Sequence, residues 1–311
     1  MGKISTLIKL LKNDPGAVRV AIADNISRSR LSHIIPDKAY LKYIYRAHFG
    51  KKLNLKQPKT FNEKLNWLKL YNRDPKYCDF VDKDKVKKYI SETIGEQYVI
   101  PTLGVWERFE DIDFNSLPDR FVLKCTHDSG STVICRDKSN FDLDSARKKI
   151  TRKLGMNLYW HGREWPYKDV KPRIIAEEYM EQEGSDDLTD YKFYCFNGEP
   201  RFLYVSIGLS NHSTARIGFV SLDWEKMPFR RNDFAPLEEL PPKPATFETM
   251  IEFAKKLSEN IPFLRVDFYE INGKLYFGEL TFYPGAGFTV LEPAEWDEKI
   301  GEWIKLPTKN N

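Results

Sequence analysis

Apolar positions change their period along this chain, and the change divides it. Up to about residue 92 they recur every three or four residues, through LSHIIPDKAYLKYIYRAHF and again in TFNEKLNWLKLY, which predicts a mostly helical region. Thr60, three residues before Glu63, marks the start of the second helix, because each side chain can satisfy a free backbone N–H of the first turn. Beyond it strand patterns take over. RFVLKCT (120–126) and STVICR (131–136) read as strands, a helix covers about 142–154 with Lys and Arg on its exposed face, and RIIAEEYM (173–180) reads as a buried strand. DYKFYCFNGEPRFLYVSIG (190–208) is a hairpin turning at Asn197-Gly198. TARIGFVSL (214–222) is a strand, TFETMIEFAKKLSEN (246–260) a helix, and RVDFYEINGKLYFGELT a closing hairpin turning at Asn272-Gly273. Strands interleaved with helices and repeated hairpins imply an α+β fold with largely antiparallel sheets, not a doubly wound parallel sheet. The expected divisions are a basic helical region 1–92, then segments 93–180 and 181–311.

With 311 residues, 41% hydrophobic and 30% charged, the chain is long enough for one large or two ordinary cores and reads as a soluble globular protein. No apolar run approaches the ~20 residues of a membrane span and no signal peptide is recognisable, so a cytoplasmic location is expected. Cys78, Cys125, Cys135 and Cys195 lack CxxC spacing and predict free thiols, while the scattered histidines argue against a histidine metal site. The net charge of +4 conceals an asymmetry: residues 1–60 carry 13 Lys and Arg against 3 Asp and Glu. Ile4, Leu7, Ile8 and Leu11 at helical spacing beside Lys3, Lys9 and Lys12 suit an amphipathic helix packed on the body, or one in peripheral contact with an anionic membrane. Nucleic acid is not an expected partner, since no stacking or helix-turn-helix motif accompanies the charge.

The closing hairpin carries the most chemistry. Arg265 shares a strand face with Asp267, and Glu279 shares one with Thr281, which is the material for holding magnesium against a nucleotide phosphate. The turn decides whether the carboxylates meet. A two-residue turn pairs Ile271 with Lys274 and sends Asp267 and Glu279 to opposite faces, so a shared metal requires an odd-length loop with Gly273 at a left-handed or bulge position. The same letters also fit a hairpin with scattered surface charge. Lys124 ends a strand before His127, Asp128, Ser129, Gly130 and Ser131, a loop of small residues and N–H groups that can cover phosphates or simply turn a hairpin. Glu177, Glu178, Tyr179 and Met180 end a buried strand where a purine can sit, and the same segment suits a hinge.

In this order the motifs resemble the ATP-grasp superfamily, specifically its TupA-like branch, associated with teichuronopeptide and other bacterial surface polysaccharides. The resemblance covers about residues 60–290 and implies a lid subdomain within 93–180 and a metal- and nucleotide-binding subdomain within 181–311, each built on an antiparallel sheet. It implies ATP and Mg²⁺ as cofactors. Lys83, after Asp82, and Lys124 would be phosphate lysines, FVLKCTHDSGST the lid, and AEEYM the adenine hinge. Asp190 would reach the ribose, and Lys192 or Lys226 would add a phosphate cation. Arg265 would stabilise the transition state while Asp267 and Glu279 bind magnesium. The family usually has Asn where this chain has Thr281, a weaker metal ligand. The implied activity is ADP-forming ligation of a carboxylate to an amine through an acylphosphate, with the carboxylate on a sugar or lipid-linked saccharide and the amine an amino acid or similar compound.

In the segment from Trp160 to Tyr167, Arg163, Glu164 and Trp165 suit a sugar acid, since rings pack on sugar faces and Arg pairs with carboxylates, although an aromatic-rich loop packed under the lid fits equally. His127 suits deprotonation of the incoming amine, a phosphate contact or a structural role. Three rival readings are a nonenzymatic scaffold that holds polymer at the membrane, a sugar kinase on the same fold and a polysaccharide glycosyltransferase. The last would use an Asp-x-Asp among Asp82-Lys83-Asp84, Asp111-Ile112-Asp113 and Asp142-Leu143-Asp144.

Overall fold

The computed structural model describes residues 15–185, 187–208 and 215–308. The amphipathic segment Ile4 to Lys12 lies outside them. Among the described residues no helix is long and apolar enough to cross a membrane, and the four cysteines are free thiols.

The described chain opens with helices α1 (Pro15–Arg28), α2 (Asp37–Phe49), α3 (Phe61–Tyr71), α4 (Lys76–Val81) and α5 (Val86–Thr93). Helix α3 starts at the expected capping box: Thr60 Oγ1 accepts from the Glu63 N–H at 3.2 Å, and the Glu63 carboxylate accepts from the Thr60 N–H at 3.3 Å. Its apolar residues Leu65, Trp67 and Leu68 enter the main core. Asn62, Asn66 and Lys69, three and four residues apart, form a buried polar stripe on the same helix. Burying that stripe is tolerable because each group is bonded, Asn62 to the Thr289 carbonyl, Asn66 to the Gly287 carbonyl and Lys69 to the carbonyls of Gly162 and Ala286.

A four-stranded antiparallel sheet follows, built from β1 (Thr102–Trp106), β2 (Phe121–Cys125), β3 (Val133–Cys135) and β4 (Ile174–Glu178) in the order β1-β4-β2-β3. Helix α6 (Leu143–Leu154) shares a small core with it through Ala146 and Ile150, which join Phe121 and Leu123. Short helix α7 (Tyr159–Gly162) precedes β4.

The second sheet takes β5 (Asp190–Phe196), β6 (Glu199–Ile207), β7 (Arg216–Ser221), β9 (Ala235–Pro236), β10 (Phe263–Ile271) and β11 (Lys274–Thr281) in the order β11-β10-β5-β6-β7-β9. Only its β7–β9 pair is parallel. Strand β8 (Arg230–Arg231) pairs separately with β12 (Leu291–Glu292), before helix α9 (Glu295–Trp303). Helix α8 (Phe247–Leu257) packs on one face of the sheet, where Phe193 and Phe247 lie 5.7 Å apart and the Cys195 thiol meets the Ala254 carbonyl. Phe193, Phe247 and Phe268 are at most 1% exposed, and at ~1.5–3 kcal/mol each their burial offsets the cost of the polar groups on the other face. Asp190 and Lys192 stand on that opposite face, and β10 sets Asp267 beside Lys192.

Candidate active site

Asn272 and Gly273 have φ of 51° and 77° and form a two-residue turn, with Ile271 paired to Lys274. The odd-length loop expected from sequence is therefore absent. The ladder instead gains one residue inside β11: Phe268 pairs with Phe277, but Asp267 pairs with Glu279, leaving Gly278 as a bulge. The bulge, not the turn, brings the two carboxylates to one face. Gly278 allows it by lacking a side chain, since a Cβ there would lie 3.0 Å from the Asp267 carbonyl oxygen.

Arg265 is the hub of the cluster. Its guanidinium donates to both Asp267 oxygens at 2.7 and 2.6 Å and to Glu279 at 2.8 Å. Lys192 bridges Asp267 at 2.8 Å and Asp190 at 2.7 Å. Burial disfavours the charge of Glu279, but Arg265, Lys192 and Lys83 outweigh it and lower its pKa to about 2. For Asp267 burial wins over Arg265 and Lys192, and its pKa is raised. Thr281 Oγ1 donates to Glu279 at 3.3 Å.

Three cavities of about 570, 460 and 740 Å³ adjoin here: the second and third meet at Glu279, and the first reaches the edge of the cluster at Asp190. The first lies between the lid sheet and the segment Glu178, Tyr179 and Met180, where Arg120 stacks 4.3 Å from the Tyr179 ring. It shares Lys124, Gly130, Glu177 and Asp190 with the second, which also holds Lys83 and Lys192. The third shares Ser129, Tyr167 and Glu279 with the second and extends past Arg265 and Thr281 to α2. Such volumes suit small-molecule substrates.

The sequence model of the family described as TupA-like ATPgrasp matches residues 63–305. The chain belongs to this family. Its antiparallel sheets and helices form the ATP-grasp fold, with β1–β4 as the lid sheet. Among curated proteins, none matches closely enough in sequence to count as a relative. Solved structures that resemble it include the D-alanine–D-alanine ligase from Bacillus anthracis complexed with ATP, at 16% identity and a TM-score of 0.40 over 66% of this chain and 55% of that one. The D-alanine–D-alanine ligase from Helicobacter pylori resembles it at 13% identity and 0.42, over 79% and 69%. The N5-carboxyaminoimidazole synthase from Aspergillus clavatus, in complex with ADP and 5-aminoimidazole ribonucleotide, does so at 12% and 0.37, over 66% and 44%. This chain thus spans little more than half of the first of these, and likenesses this weak carry no functional weight.

Five side chains expected at the site of this ATP-grasp protein lie elsewhere. Arg163 is fully enclosed, paired with Asp37 at 3.1 Å and stacked 4.0 Å from Tyr40, so it cannot meet a sugar acid. His127 is 1% exposed with Nε2 on the Met156 carbonyl at 2.9 Å, and burial lowers its pKa. Ser131 turns inward, donating to Asp128 at 2.6 Å and accepting from the Cys125 N–H at 2.7 Å, which shapes the loop from within. Lys226 is exposed and donates to the Glu238 carbonyl, outside all three cavities. Trp165 is half-buried and lines none of them either, whereas its neighbour Glu164 lines the third.

Other groups went unnoticed in the sequence. Lys87 joins Lys124 on the Glu177 carboxylate, each at 2.6 Å. Lys153 of α6 pairs with Asp128 at 3.4 Å and donates to the Ser129 carbonyl at 2.9 Å, fastening the lid loop. Their only sequence signal was membership in Lys-rich helices, which ordinarily marks a solvated face.

Proposed function

We propose that this chain is an ATP- and magnesium-dependent, ADP-forming carboxylate–amine ligase that amidates a uronic acid of a bacterial surface polysaccharide with an amino acid or other amine. The observation that carries the reading is the convergence of Arg265, Asp267 and Glu279 where the second and third cavities meet. The first cavity would take the nucleoside, with Glu178 to Met180 beside the base and Asp190 toward the ribose. The second would take the phosphates, and the third the acceptor.

Among the described residues no cluster of three His, Cys, Asp or Glu suited to a metal ion occurs. Magnesium does not need one, because it is commonly held by one or two carboxylates together with substrate phosphate oxygens. Asp267 and Glu279 offer those hard oxygen donors, with Thr281 a weaker third. When bound there, magnesium supplies charge neutralisation on the phosphates. A triphosphate would draw Arg265 and Lys192 off the carboxylates and free both acids for the cation. Lys83, Lys124 and Arg265 would then orient the terminal phosphate for attack by the acceptor carboxylate, giving ADP and an acylphosphate that the amine displaces. The lid loop, fastened by Lys83 and Lys153, would keep water from that intermediate.

The glycosyltransferase reading loses its motifs to structure: Asp82 and Asp84 hold Arg173, Asp111 holds Arg108, and Asp142 caps α6. A sugar kinase remains separable by product. The test is nucleotide release across a panel of uronic acids and amino acids, with products weighed by mass spectrometry. ADP formation requiring both an acid and an amine, with an amide product, is expected. A phosphorylated sugar formed without amine would overturn the ligase reading, as would consumption of a nucleotide sugar without ATP.

A further inference from the structure

Glu164 is 8% exposed and lines the third cavity together with Arg265, Glu279 and Thr281. Among the described residues no donor hydrogen-bonds to its carboxylate. The nearest uninvolved-looking cation is in fact committed. Lys69 has three ammonium protons, and they go to Asn66 Oδ1 at 3.2 Å, the Gly162 carbonyl at 2.8 Å and the Ala286 carbonyl at 2.6 Å. Glu164 therefore feels the Lys69 charge without receiving its protons. Arg265 directs four of its five N–H groups to Asp267, Glu279 and Tyr204. The Glu164 oxygens face the third cavity, so the donors they lack can come only from what enters that cavity.

The surroundings look built to keep this acid where it is. Gly162 admits it, because a Cβ at that position would stand 3.0 Å from Glu164 Oε1 and 2.9 Å from the Ala286 Cβ. The loop Pro284–Gly287 opposite is held in left-handed conformation at Gly285, Ala286 and Gly287, and the Lys69 bond to Ala286 braces it. The charged and titratable groups around Glu164 are Lys69, Arg265, Glu279, Tyr167 and Tyr283.

Resting on the ligase reading, we infer that Glu164 is the catalytic residue that binds the incoming amine as an ammonium ion in the third cavity and takes its proton. The ammonium supplies the N–H donors and positive charge that the carboxylate lacks. One proton passes from nitrogen to Glu164. The freed nitrogen lone pair attacks the acyl carbon, the carbon–oxygen bond to phosphate breaks with its electron pair leaving on phosphate, and the second nitrogen proton follows to phosphate. Burial raises the affinity of Glu164 for a proton, which suits a base that must receive one.

The experiment compares two nucleophiles on one acylphosphate. Hydroxylamine, largely uncharged near neutral pH, needs no base and yields a hydroxamate, whereas glycine, L-alanine, L-serine and L-lysine arrive as ammonium ions. Native protein is incubated with ATP, magnesium, each of a panel of uronic acids and either nucleophile. The variants are Glu164→Gln and the double variant Lys69→Met with Glu164→Gln, which removes both buried charges and leaves neither unpaired if the single variant fails to fold. The ratio of amide to hydroxamate should fall about 10²-fold in both variants. An unchanged ratio overturns the inference, and so does hydroxamate formation by the native protein with no amide from any of the amines. Parallel loss of both products, with a preserved melting transition, would assign Glu164 to the acid or its sugar instead. No hydroxamate from any uronic acid with the native protein would bring down the ligase reading itself.

Discussion

Asp267 lies directly across the closing hairpin from Glu279, one residue out of step with the turn that joins their strands. The extra residue is Gly278, and its position against the Asp267 carbonyl leaves no room for a side chain. Gly278→Val should therefore destabilise the fold by about 1–3 kcal/mol through overpacking. Turnover should fall further than this stability loss explains, because Glu279 would be displaced from Arg265. Urea denaturation and steady-state kinetics on the same preparation separate the two effects. A variant with native stability and native turnover would show that the bulge does not align the acids.

Arg265 has a double role in the absence of nucleotide, since it pairs with both Asp267 and Glu279, and among the described residues Lys192 is the one other cation that forms an ion pair with either, at Asp267. Arg265→Ala should lower turnover roughly 10²–10³-fold, as expected for loss of one preorganised charge. It should also cost stability, up to about 3 kcal/mol, because a buried carboxylate loses a bidentate partner. Thermal denaturation with and without magnesium and a nonhydrolysable ATP analogue tests this. The stability deficit should shrink when ligands are present. A deficit that persists undiminished would argue against metal binding by these acids.

Much of this was legible in the sequence, and what was not has a common cause. Strands and helices are periodic, so the sequence letters assign faces: Arg265 with Asp267, Glu279 with Thr281, and the capping box at Thr60 all stand as read. Loops have no period. Arg163 sits just after α7 with φ of 53°, and nothing in the letters around it says that its guanidinium turns inward to Asp37. His127 and Ser131 turn inward from such a loop, where the letters alone do not separate a ligand contact from a structural role. The bulge is a further case, because register is a pairwise property and a single Gly is its only mark in one strand. Strand β1 escaped because its five residues include Gly104 and none of them is fully buried, so no alternation marks a face.

Glu177 illustrates how pairing with two lysines bears on acid stability. Burial opposes its charge, but Lys124 and Lys87 win and lower its pKa to about 2 from an ordinary 4.5. A carboxyl depressed by folding binds its proton more tightly when unfolded, so its stabilisation is complete above pH 4.5 and is lost as pH falls toward 2. The full contribution is on the order of 3 kcal/mol. Lys87→Met should raise the pKa of Glu177 and move the acid-unfolding midpoint upward. The stability gap to the native protein, large at pH 7, should narrow as the pH falls through this window. A gap independent of pH would mean that Lys87 acts only through its bonds to the Ile100 carbonyl and Thr102.

Arg173 grips both acids that flank Lys83, Asp82 at 2.9 Å and Asp84 at 2.6 Å. The backbone adds to this hold, since the Lys83 N–H donates to the Thr126 carbonyl and the Thr126 N–H to the Arg173 carbonyl, at 3.0 and 2.9 Å. Lys83 is thereby aimed across the second cavity at the Asp128 carbonyl. Arg173 touches none of the cavities and acts as a positioning residue. Its replacement by Ala should raise KM for ATP about 10-fold or more while changing kcat less, because Lys83 stays on the chain but loses its fixed direction. Arg173→Lys should recover only part of the loss, since one ammonium cannot match a guanidinium fork spanning two carboxylates. A lowered melting temperature with KM unchanged would reduce Arg173 to a structural brace and leave Lys83 to be positioned by the backbone bonds alone.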